Sequence, residues 1–230
     1  MKFFLKTSTI LFCFLLFFST DTNAQKKSRK MIKANQAFSA EQYNKAAELY
    51  KKVYQSAKSR ALKSEIIYKQ AECYRLSGNI KRAESYYKRA IKAKYPDVIV
   101  YLRYADILRM NEKYSEAKEQ YQKYIQLNPA DVAGEMGLKS CDYAINWIDN
   151  PTRYKVELMP LINSRFSDFS PSFGNGEYSE VYFTSSRSGG FSNKIDDRTG
   201  ETFTDIYSSK LNKKGKWSVP VMLEEPINTS

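Results

Sequence analysis

Between residues 27 and 148, apolar and small residues recur at intervals of four and then three, the spacing that lines one face of an α-helix. One phrase occurs three times: QYNKAAELYKKV at 42–53, NIKRAESYYKRA at 79–90 and KYSEAKEQYQKY at 113–124. With Ala46, Ala83 and Ala117 aligned, the copies lie 37 and 34 residues apart. Four residues beyond each alanine stands Tyr50, Tyr87 or Tyr121, and three further come Val53, Ala90 or Tyr124. Twelve residues before each alanine is a second one: Ala34, Ala71 and Ala105. Small side chains at those positions let two antiparallel helices approach closely, and the tyrosine fills the adjacent gap. The pattern predicts stacked helical pairs, with turns at Ser77-Gly78-Asn79 and Leu127-Asn128-Pro129. A last helix over about 131–148, carrying Ala144, Ile145 and Ile148, is expected to cover the end of the stack.

At Asn150-Pro151 the helical pattern stops, because proline disfavours helix in the residue before it. YKVELMPL at 154–161 alternates weakly and leads into a different kind of sequence. DFSPSF at 168–173, a Gly174-Asn175-Gly176 turn, VYFTSSR at 181–187, TDIY at 204–207 and WSVPVML at 217–223 read as four short strands with turn residues between them. Arg187 and Asp205 are placed to pair within this unit.

The helical phrase resembles the tetratricopeptide repeat, a helix-turn-helix unit with a period of about 34 residues, and the resemblance covers 27–149. The family's tryptophan position is taken here by Ile67 and Tyr101. In that family the inner groove often holds an extended peptide or its carboxylate. The resemblance places Asn35, Arg75, Arg103 and Arg109 at or near this groove, where arginine suits two-pronged carboxylate recognition. The strand words DFSPSF, VYFTSSR and DIY resemble one blade of a TolB-like, WD-repeat-like β-propeller, over 160–230. That likeness implies that the Tyr-Phe strand is buried at the centre of the blade. Propellers are built from about 4–8 blades, so 160–230 is expected to be the first blade of a larger array, truncated at Ser230. In a chain of this length Phe169, Tyr182 and Phe183 are expected to be poorly covered. The expected fold class is an α solenoid followed by an incomplete all-β propeller-like segment.

Charge and leader change this picture only at the edges. Lys2 and Lys6 precede the apolar run ILFCFLLFF, and Thr22-Asn23-Ala24 offers small residues for cleavage, so residues 1–24 read as a secretory signal peptide. Gln25 rather than cysteine follows the expected cut, which argues against lipid attachment there. The formal charge of +12 falls to about +11 once Lys2, Lys6 and Asp21 are lost. QKKSRKMIK at 25–33 reads as a solvated arm that could meet anionic headgroups or an acidic partner. Cys73 and Cys141 remain after the leader, but they lie 68 residues apart, two repeat periods. Stacked helices at 8–10 Å spacing put them roughly 20 Å apart, too far for a disulfide.

Histidine is absent, and with it the usual base for a serine or cysteine nucleophile and the commonest metal ligand. No phosphate loop or metal-spaced cluster occurs, and Asp196-Asp197 reads as a polar loop rather than a calcium site. The chain is therefore expected to be non-catalytic, with no cofactor, no metal and no nucleic-acid partner. Leader, repeats and blade together resemble the front part of a Bacteroidota-type envelope family that usually ends in an OmpA-like peptidoglycan-binding domain. One branch of that family, similar to the PorE component, is linked to type IX secretion and gliding. The resemblance implies an exported scaffold of the periplasm, associated with the outer membrane, that meets other envelope proteins through its groove. Through a domain absent from this sequence it would also reach peptidoglycan. Two alternatives stand beside it: a periplasmic module that binds peptide or cargo, and a fragment of a propeller-bearing hydrolase.

Overall fold

The computed structural model describes residues 21–174 and 176–229. The leader read over 1–24 lies outside them except for its last four residues. The chain divides into two units, Met1–Ile145 and Asn146–Ser230. Seven helices are described: α1 (Asp21–Ser39), α2 (Tyr43–Ser56), α3 (Arg60–Leu76), α4 (Ile80–Lys92), α5 (Ile99–Met110), α6 (Tyr114–Leu127) and α7 (Ala133–Asp149). They form three antiparallel pairs and a last single helix, a tetratricopeptide-type solenoid. The basic stretch 25–33 is part of α1.

Local chemistry starts and stops these helices at equivalent places. Ser59 accepts the Leu62 N–H at 3.1 Å and Asn79 accepts that of Arg82 at 3.2 Å, satisfying first-turn donors. The first helix of each pair ends in the same way. Gln42, Asn79 and Lys113 donate their N–H to the carbonyls of Ala37, Tyr74 and Leu108, each five residues back, closing a Schellman turn. The residue before each donor is left-handed: Glu41 at φ 57°, Gly78 at 78° and Glu112 at 60°.

Ala34, Ala46, Ala71, Ala83, Ala105 and Ala117 are completely buried, as are the rings of Tyr50, Tyr87 and Tyr121. Cys73 and Cys141 are buried free thiols at equivalent positions two units apart. Burial pushes the Cys73 thiol up to about 12, so it is an inert packing group.

Helix α7 covers the stack differently from the expectation. Ile148 is 63 % exposed and Ala144 and Ile145 are only half-buried. The covering face is Gly134, Leu138 and Cys141, the repeat-equivalents of Val100, Tyr104 and Ile107. Beside it, the positions of Tyr101, Ala105 and Leu108 become the exposed Glu135, Lys139 and Asp142, and Asp142 pairs with Lys118 of α6. Among the described residues no further helix follows α7, and polar residues stand where the earlier repeats carry apolar ones, as on a capping helix. Gly137 sits against the buried Tyr121 ring, and a Cβ added there would overlap it. Gly137→Ala would gain about 1 kcal/mol on an open helix. Here it should cost about 2 kcal/mol through overpacking, read as a lower midpoint in thermal unfolding.

In the second unit β1 (Asp168–Phe173), β2 (Glu180–Ser185), β3 (Asp205–Lys210) and β4 (Val221–Met222) form one antiparallel sheet in the order β1-β2-β3-β4. Alternate residues Val181, Phe183 and Ser185 pair with Ser209, Tyr207 and Asp205 and turn inward. The core is Ile162, Val181, Phe183 and Tyr207, flanked by Met159, Trp217 and Met222. Ser170-Pro171 lies in the irregular stretch of β1, where an edge strand tolerates a missing N–H. Residues 154–161 form no strand, and Val156 and Leu158 are exposed. Two expectations change. Phe183 is well covered at 3 % exposure while Phe169 is exposed at 46 % and Phe173 at 53 %. Arg187 pairs with Asp168 at 2.8 Å, and Asp205 instead accepts the Phe191 N–H at 2.9 Å. Among the described residues there is one sheet and no propeller.

Candidate partner-binding face

The tyrosine on each second helix carries its hydroxyl back to the first helix of the same pair. Tyr50 donates to Asn35 Oδ1 at 2.7 Å, Tyr121 donates to Asp106 Oδ1 at 2.7 Å, and Tyr87 donates to Glu72 Oε1. Each acceptor lies 15 residues before its tyrosine. Burial raises the Tyr50, Tyr87 and Tyr121 phenols well above their usual range, with the Glu72 charge adding to the rise at Tyr87 and the Asp106 hydrogen bond at Tyr121. The three hydroxyls therefore remain donors at any pH the protein meets.

Three residues after each acceptor stand Phe38, Arg75 and Arg109, and these decide how much of the ladder is free. Arg75 closes a fork on Glu72, with Nε at 3.4 Å from Oε1 and Nη2 at 2.7 Å from Oε2. Arg109 gives its Nε to the Tyr121 oxygen at 3.2 Å. Asn35 is spent on Tyr50. Arg103 differs: it touches Asp106 only at 3.7 Å and its side chain is 37 % exposed. Of the four residues singled out in the sequence, Asn35, Arg75 and Arg109 serve the helix pairs, and Arg103 makes only the 3.7 Å contact with Asp106.

Near Arg103 lies an aromatic pair that no motif of the sequence singled out. Tyr68 stacks on Tyr95 with centroids 4.2 Å apart and planes 7° from parallel. Burial raises the Tyr68 phenol, while the nearby Arg103 charge opposes the rise. The two rings, with Leu62, Glu65, Lys69 and Pro96, line a hollow of about 590 Å³. The available signal was the Tyr95-Pro96 dipeptide beyond the end of α4, where no helical register demands a ring. An aromatic floor with a lysine in its wall and an arginine nearby can take an apolar side chain and an adjacent carboxylate from one extended segment.

Residues 64–96 and 98–131 match the tetratricopeptide repeat family, so two such repeats are present by sequence as well as by fold. No curated protein matches the chain. Among solved structures the Hsp90 co-chaperone Cns1 from Saccharomyces cerevisiae is similar at 18 % identity, over 56 % of this chain and 42 % of that one, with a TM-score of 0.51. The UNC-45 chaperone is similar over 54 % of this chain and 14 % of that one, at 21 % identity and a TM-score of 0.48. The first tetratricopeptide domain of Spaghetti (RPAP3), solved with the HSP90 peptide SRMEEVD, is similar over 53 % of this chain and 94 % of that one. It has 22 % identity and a TM-score of 0.47. The matched region is thus less than half of the first two proteins. The likeness to Cns1 shows the helical fold.

Proposed function

We propose that this chain is a non-catalytic protein-interaction scaffold of the cell envelope. Its solenoid holds an extended partner segment on α3 and α5, between the Tyr68–Tyr95 stack and Arg103. The observation that carries the reading is the division of labour among the arginines: Arg75 and Arg109 are committed to the fold, and Arg103 stands half-exposed beside an open aromatic hollow. The envelope setting is supported by the leader-like residues 1–24 and by the resemblance of the architecture to the OmpA-linked scaffold family. In that reading the second unit is one blade of a TolB-like propeller, and a peptidoglycan-binding domain belongs to the same assembly.

A photo-crosslinking residue at position 69, introduced in the native host, tests the binding face. It should trap a partner protein, Arg103→Glu should abolish the adduct, and the same probe at exposed Lys123 on α6 should give none. Equal yields at 69 and 123 would remove the proposed face. N-terminal sequencing of the cellular protein tests the setting, with Gln25 expected as the first residue and an uncleaved Met1 in the cytoplasmic fraction contradicting it.

A further inference from the structure

Between α2 and the end of α4, two stretches carry cations and no acid. Residues 49–64 hold Lys51, Lys52, Lys58, Arg60 and Lys63, and residues 85–96 hold Lys88, Arg89, Lys92 and Lys94. Antiparallel pairing brings the end of α2, the start of α3 and the end of α4 to one end of the solenoid. There Tyr54, Arg60, Lys63, Ile67, Lys92 and Lys94 line a hollow of about 420 Å³. It shares only Lys94 with the Tyr68 hollow.

Several other cations of the solenoid have a carboxylate partner: Arg75 with Glu72, Lys113 with Glu84, Lys118 with Asp142 and, at 3.7 Å, Arg103 with Asp106. Around this hollow, among the described residues, none of the four has a carboxylate partner, and Lys63 only rests 5.6 Å from the centroid of the Tyr54 ring. Like charges gathered without a counter-charge oppose compaction, and an anion seated among them relieves that repulsion. We propose that this hollow is a binding site for a compact polyanion carrying two or more phosphates. Three lysines supply point charges with three donors each, and Arg60 supplies a fork. A hollow of this size exceeds a single tetrahedral oxyanion, yet it is too short for carboxylates spread along a peptide to bring the same charge density. The phosphates come either from a free polyphosphate or from a lipid headgroup.

The purified chain should bind inorganic tripolyphosphate in calorimetry, more weakly as salt rises. Arg60→Glu and Lys92→Glu should each weaken binding by roughly tenfold or more, the effect of reversing one charge close to a polyanion. Lys123→Glu, the same change in net charge on another helix, should shift it by less than roughly twofold. Arg60 and Lys92 are exposed, so both variants should melt like the parent. Vesicles containing cardiolipin form the second arm: sedimentation with them, lost in Lys92→Glu, without tripolyphosphate binding, assigns the phosphates to a lipid. Equal losses in Lys123→Glu, citrate binding as tightly as tripolyphosphate, or binding to neither probe would each overturn the proposal.

Discussion

Replacing Arg187 by methionine should unfold the sheet unit while the solenoid stays folded. The Arg187 guanidinium does three things at once. Its Nη2 donates to Asp168 Oδ1 at 2.8 Å and to the Ile162 carbonyl at 2.7 Å, and its Nε donates to Ser185 Oγ at 2.8 Å. It also lies 5.0 Å from the Phe183 centroid and 4.9 Å from that of Tyr207, two of the four buried apolar residues of this unit. The Asp168 side chain is only 7 % exposed, so removing the arginine strands a buried charge, at a cost of about 3–5 kcal/mol. A core of four buried apolar residues supplies no more than that in a unit this small. Hydrogen exchange in β2 and β3 should collapse to the level of the exposed loops while α3 to α6 remain protected. Arg187→Lys should rescue only part, because an ammonium keeps the charge but not the fork. Unchanged protection in Arg187→Met would mean that the pair is peripheral to the fold.

The same pair sets an acid limit. Burial alone would raise the Asp168 carboxyl, but hydrogen bonds from Ser185, Arg187 and the Ser164 N–H hold it down at about 2. A folded value below the ordinary one of about 3.9 contributes stability that is present above pH 4 and lost as pH falls towards 2. The two-unit difference is worth about 2.5 kcal/mol. Sheet protection should therefore fail in that window, read by hydrogen exchange in β2 and β3 as pH is lowered.

Why some of this was legible and some was not follows from the range of the interactions. Ala46, Ala83 and Ala117 and their partners Ala34, Ala71 and Ala105 could be placed because each repeat packs only on its neighbours, so a local spacing carries the tertiary contact. The separation of Cys73 from Cys141 followed from the same register. Helix α7 broke the rule where the stack ends: Gly134 and Gly137 make room for the rings of α6, and nothing in the spacing of Ala144, Ile145 and Ile148 reveals which face would turn inward. Arg187 was tied to Asp205 although Asp168 receives it, because cross-strand partners depend on register, and β1 is irregular between Phe169 and Ser172. Residues 154–161 alternate weakly but form no strand.

Arg75→Glu and Arg103→Glu should part company, although the two arginines looked equivalent by position. Arg75 is 25 % exposed in its side chain and Glu72 13 %, and the Tyr87 hydroxyl ends on the same carboxylate. A glutamate at 75 would set two carboxylates together beneath a buried phenol, and loss of the pair plus like-charge repulsion should cost about 3 kcal/mol. In a unit of this size that lowers the melting temperature by on the order of 10 °C, and any loss of partner binding in this variant would report the damaged fold. Arg103→Glu gives up a half-exposed contact at 3.7 Å, worth at most about 1 kcal/mol. Its melting curve should stay close to the parent while the cross-link from position 69 disappears. A matched loss of stability in both variants would show that Arg103 also belongs to the ladder and would remove it as the cation that recognises the partner. A stable Arg75→Glu protein that no longer held the partner would move the binding site one helix pair towards the N-terminus. The melting temperature therefore has to be read before the binding result, because only a folded variant can say which arginine faces the ligand.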